Sequence, residues 1–106
     1  MRLEPVRVDL GEVEAIRPSW HCFLRFRERR FHRGEGGSEA AAEALAATLR
    51  NAELTARVPP GVGGLSEPYA LWAVSGGLAF PLVEGERGEW TATTCLAVRP
   101  RGSSGR

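Results

Sequence analysis

The chain has no lysine: all 14 of its basic residues are arginine. Each of these cations is a guanidinium, which stays charged at any working pH and can hold a phosphate through two parallel hydrogen bonds; an arginine-only complement also follows from a GC-rich genome. Cysteine is scarce, with Cys22 and Cys95 far apart and outside any C-x-x-C spacing. That excludes a disulfide framework and leaves two free thiols as the expected state, with a single bridge between them as the alternative. His21 and His32 stand eleven residues apart and bring no third or fourth ligand with them. No metal and no cofactor are expected. No apolar run approaches the ~20 residues that cross a bilayer, and Met1-Arg2-Leu3-Glu4-Pro5 lacks the apolar stretch of a signal peptide. The expectation is a cytoplasmic protein with no membrane role.

What is present suffices for one domain. A chain of 106 residues buries roughly 60 to 70% of its unfolded surface without staples. Residues 1–99 are expected to form a single α+β domain, and the Gly/Ser/Arg-rich segment 100–106 a disordered tail. Net charge is +1, but residues 17 to 33 carry Arg17, Arg25, Arg27, Arg29, Arg30 and Arg33 against Glu28 alone. Over residues 34 to 89 the glutamates outnumber the arginines. The field is dipolar, and a local basic patch attracts polyanions even on a nearly neutral domain.

Leu3, Val6, Val8 and Leu10 alternate with charged residues, which predicts a short edge strand over residues 2 to 10, ended by Gly11. Ser19 is the expected N-cap of a helix over about residues 20 to 33, with Gly34 as its stop. Ser38 caps a second, alanine-rich helix reaching Ala52, with Leu45 and Leu49 on one face. Residues 57 to 68 are too rich in proline and glycine for regular structure. Three strands follow. Tyr69 to Ser75 and Leu78 to Val83 flank a Gly76-Gly77 type I′ turn, and Trp90 to Val98 forms the last strand. That register sets Leu71 and Ala73 beside Leu82 and Phe80, while Pro81 demands a bulge or an outward-facing N position.

The first helix carries the chemistry-bearing side chains. At 100° per residue, His21, Arg25, Glu28, Arg29 and His32 fall within a sector of about 80° to 180°, with Trp20, Phe23, Leu24 and Phe31 opposite. One face is expected to pack and the other to meet a ligand. Arg27 lies near the apolar stripe and is expected to snorkel or pair. Trp72 and Trp90 are expected in core or interface packing, and Thr91, Thr93 and Thr94 mainly as good β formers.

The motif His21-x-x-x-Arg25-Phe26-x-x-Arg29 resembles the His-x-x-x-Arg-phi-x-x-Arg signature of an uncharacterised bacterial family of RelE-like small proteins. The expected order, a short N-terminal strand, two helices and an antiparallel β-meander, is also that of the RelE/ParE toxin superfamily and the BrnT toxins. The resemblance covers about residues 19 to 98 and implies a RelE-like fold. It implies a toxin-type, metal-independent endoribonuclease, in which the ribose 2′-hydroxyl attacks the adjacent phosphate, or a degenerate relative that binds RNA or the ribosome. Such cleavage needs a base, an acid and cations at the phosphorane. His21, Arg25 and Arg29 are the candidate catalytic residues, and Arg27, Arg30, His32, Arg33 and Thr94 the candidate RNA contacts. A toxin implies an acidic antitoxin partner covering the basic helix. The chain differs from better-characterised RelE toxins in lacking lysine and any tyrosine or histidine near its C-terminus. The reading from another class is a non-catalytic protein-interaction module, phage- or mobile-element-encoded, binding through its hairpin and exposed tryptophans.

Overall fold

The computed structural model describes residues 3–30, 37–59, 62 and 71–98. Among them the chain runs β1 (Val6–Leu10), β2 (Val13–Pro18), α1 (Trp20–Arg30), α2 (Ser38–Arg50), β3 (Glu53–Thr55), β4 (Leu71–Ser75), β5 (Leu78–Glu84), β6 (Glu89–Ala92) and β7 (Leu96–Ala97). The fold is α+β, as the sequence predicts. The expected order lacks two of these strands. The strands form one mixed sheet in the order β1-β2-β6-β5-β4-β3, with β7 also pairing β5.

The unexpected β2 lies inside the sheet. It forms a hairpin with β1 across Gly11-Glu12, where Leu10 faces Val13 and Gly11 has a φ of 64°. Glycine adopts that backbone without the steric cost other residues meet. Gly11 therefore reverses the chain rather than ending a solitary strand. Pairing of β2 with β6 is parallel, Ile16 opposite Trp90 and Pro18 opposite Ala92, and an Arg17 to Glu89 ion pair of 2.8 Å spans the two strands. Pro18 stands at the last strand position, where the chain leaves for α1.

The Gly76-Gly77 turn is as expected: both glycines have positive φ, 56° and 84°, as a type I′ turn requires. Its register sets Leu71 opposite Leu82 and Ala73 opposite Phe80. Pro81 meets its difficulty on the other side of β5. The expected continuous last strand breaks into β6 and β7, with Leu82 facing Ala92 but Ala79 facing Leu96. The one-residue change of register is a bulge over Thr93 to Cys95. Within it the Thr93 N–H donates to the Pro81 carbonyl at 3.1 Å.

One sheet face packs against both helices. Ile16, Phe80, Leu82 and Ala92 meet Phe23 and Phe26 of α1 and Ala41, Leu45 and Leu49 of α2 in the main core. The 41/45/49 stripe is the i, i+4 face expected for α2, and its alanines permit close approach. The helix starts differently from the expectation: Gly37 is the N-cap, no side chain caps it, and Ser38 is already its first residue. On the opposite sheet face Trp72, Ala79 and Val62 form a smaller cluster. Trp72 and Trp90 are buried, as expected. Residues 31–36, which include the expected end of the first helix, most of the 57–68 loop and the expected C-terminal tail lie outside the described residues.

A cationic and aromatic face on the first helix

Ser19 fixes where α1 begins and how it is turned. Its Oγ accepts the Cys22 N–H at 3.0 Å, an N-cap bond, and donates to the Thr93 carbonyl at 3.0 Å. Its own N–H donates to the Ala92 carbonyl at 3.0 Å. The expected cap is thus also a tie between the helix and the bulge. Ser19→Ala removes both side-chain bonds and is expected to cost about 1 to 2 kcal/mol, read as a lower urea midpoint at unchanged m-value. An unchanged midpoint would contradict this double role.

The buried arc of α1 is set by Cys22, Phe23 and Phe26. At 100° per residue these three span about 100° of the helix. Trp20 and Leu24, expected to pack, are instead 52% and 38% exposed. The correction has a local cause. Two apolar stripes compete on this helix, and the one carrying Cys22 and Phe26 at i, i+4 reaches the sheet once Ser19 is anchored at Ala92 and Thr93. Sequence reasoning missed the exposed tryptophan, and the available signal was that i, i+4 pair of residue types usually found inside.

The outward arc holds the predicted site residues together. His21, Arg25 and Arg29 are all exposed, and their four-residue spacing steps them by about 6 Å along one face. Arg25 is engaged by Glu28 in an exposed i, i+3 ion pair of 2.9 Å. Arg29 donates from Nε to the Cys95 carbonyl at 3.0 Å. Arg30 reaches the Gly76 carbonyl of the β4–β5 turn. The guanidinium of Arg27 lies 5.9 Å from the centre of the Phe23 ring, the snorkelling expected of it. Arg27, Arg29 and Arg30 also occupy the last described turn of α1, where cations complement the helix dipole. Thr94 is half-buried in the bulge, one residue before the carbonyl that Arg29 grips. His32 and Arg33 lie outside the described residues.

Behind this face sit the two free, buried thiols. Burial pushes the Cys95 thiol up from its ordinary 9.0 to about 11, with Arg29 and Arg30 pulling the other way. Burial, reinforced by the neighbouring Cys95, raises Cys22 further still. The unfolded chain therefore sheds thiol protons near pH 9 that the folded chain keeps. Stability is unaffected below that pH and is expected to fall above it, by about 1.4 kcal/mol per pH unit for each thiol still protonated in the fold. Thermal melts from pH 8 to 10.5 read this. Both thiols should also resist a thiol-specific disulfide reagent at pH 8 until the protein is denatured; rapid reaction of the native protein would contradict their burial.

Two cavities bounded by described residues lie elsewhere. One of about 330 Å³ separates β1 from α2 beside Arg7 and Arg50. Another of about 520 Å³ opens beside β3, between Leu54, Val58, Pro59 and Val98. His21, Arg25 and Arg29 line neither. Among the described residues no three His, Cys, Asp or Glu side chains are grouped to hold a metal ion, and no helix is long and apolar enough to cross a membrane. Comparison with family models, curated proteins and solved structures finds no match.

Proposed function

We propose that this protein is a RelE-like α+β domain that binds RNA, free or in the ribosome, through the outward face of α1. The observation that carries the reading is the single exposed arc shared by His21, Arg25 and Arg29. Guanidinium groups one helical turn apart on an exposed face suit a phosphate backbone, which is recognised mainly by charge. Of the two forms the resemblance implies, binding without cleavage is the better supported. Cleavage by the 2′-hydroxyl needs both a proton acceptor and a proton donor. On this arc, among the described residues, His21 is the one imidazole, while Arg25 shares its charge with Glu28 and Arg29 is committed in part to the Cys95 carbonyl. The reading implies a cytoplasmic protein, and an acidic partner of the antitoxin kind would compete for the same face.

The test is the anisotropy of a labelled RNA titrated with the protein between 50 and 200 mM salt, with the same samples run on a denaturing gel. Binding should weaken with salt at a log–log slope of about −1.4 to −1.8, as the two guanidinium–phosphate contacts of Arg25 and Arg29 predict, and the RNA should stay intact. No binding at the lowest salt would end the reading. Fragmentation abolished by Arg29→Ala would restore the nuclease.

A further inference from the structure

We infer that Trp20 is a stacking platform for an unpaired base, so that the ligand of the α1 face is single-stranded rather than duplex RNA. The inference rests on the RNA-binding reading above. Trp20 is 52% exposed, whereas Trp72 and Trp90 are 1% and 6% exposed. Its indole is nonetheless held: the ring leans on Phe23 with centroids 5.3 Å apart and planes tilted by 33°, and Phe23 is itself fully buried. A ring held by a buried neighbour and half exposed to solvent is what a base needs as a stacking partner.

The fold has no need of Trp20 in the core, since Cys22, Phe23 and Phe26 supply the buried arc. Leu24, one turn further along, extends the exposed apolar strip. What flanks the strip decides its occupant. Arg27 bounds it on one side, by its position over Phe23, and His21 and Arg25 follow on the other at about 100° and 140° around the helix from Trp20. An apolar partner surface would meet cations on both sides, whereas a single strand matches the pattern, bases on the indole and phosphates on the flanks. In a duplex the bases are stacked on each other and unavailable.

The experiment compares an unstructured 12-nucleotide oligouridylate, an RNA duplex of equal length and inorganic polyphosphate, by affinity and by intrinsic fluorescence at 50 mM salt. Trp20 is the exposed indole, so quenching reports on it. The single strand should bind about 10-fold tighter than the duplex and quench the emission. Polyphosphate should bind without quenching. Trp20→Ala should bring the single strand down to the duplex level, and Trp20→Phe should keep much of the preference; circular dichroism checks that each variant folds. Equal affinity for strand and duplex, with no quenching and no effect of Trp20→Ala, would overturn the platform while leaving the RNA-binding reading intact. Failure of every probe to bind would overturn both.

Discussion

Replacing Arg25 and Arg29 together by alanine is expected to weaken RNA binding by about 30-fold at 50 mM salt, taking each lost charged contact as about 1 kcal/mol. The salt slope should fall in magnitude by about 1.5 at the same time, because two counterion-releasing contacts disappear. Stability should fall by about 1.5 kcal/mol at most, which leaves the fold intact. The Arg25 to Glu28 pair is exposed and of the kind that contributes about 0.3 to 0.5 kcal/mol, and the Arg29 bond to the Cys95 carbonyl contributes about 1 kcal/mol. A charge-matched control is at hand in Arg7 and Arg50, which stand at the β1–α2 cavity away from the proposed face. Their double alanine variant should bind RNA nearly as the parent does. Equal losses in both variants would mean that net charge, not the α1 face, governs binding.

Phe23→Ala is expected to destabilise the protein by about 3 to 5 kcal/mol, a large share of the about 5 to 15 kcal/mol typical of a domain. Phe23 is fully buried among the residues that join α1 to the sheet, and its loss leaves a cavity there. Trp20→Ala should cost only about 1 to 2 kcal/mol, mainly the ring contact with Phe23 and the covered part of the indole. The contrast tests how α1 is turned, because a helix that packed through its Trp20–Leu24 side would reverse the order. Denaturant melts of the two variants give the answer directly.

Local signals were the legible part of this sequence. Ser19 caps α1, Gly76-Gly77 makes the hairpin, and Leu45 and Leu49 face the core from α2, each because backbone conformation or helical spacing dictates it within a few residues. Long-range pairing was not legible. Val13 to Pro18 contains Glu14 and Ala15, poor strand formers, and becomes a strand between two partners, β1 across the Gly11-Glu12 turn and β6 more than seventy residues on. The same holds for β3, three residues held by β4. Pro81 required a bulge or an outward-facing N position, but only the sheet shows that Thr93 to Cys95 of the neighbouring strand supplies a bulge. At the site, composition and spacing correctly grouped His21, Arg25 and Arg29 on one face. They could not choose between the two apolar stripes of α1, because that choice depends on where Ser19 is tied to Ala92 and Thr93.

That the outward side of α1 receives RNA is tested most directly by nuclear magnetic resonance titration of the labelled protein with the oligouridylate. Perturbations are expected to concentrate at the Trp20 indole N–H, the His21 ring and the Arg25 and Arg29 side chains, with the core amides of β5 unmoved. Perturbations centred instead on the β1–α2 cavity or the β3 edge, with α1 silent, would contradict it.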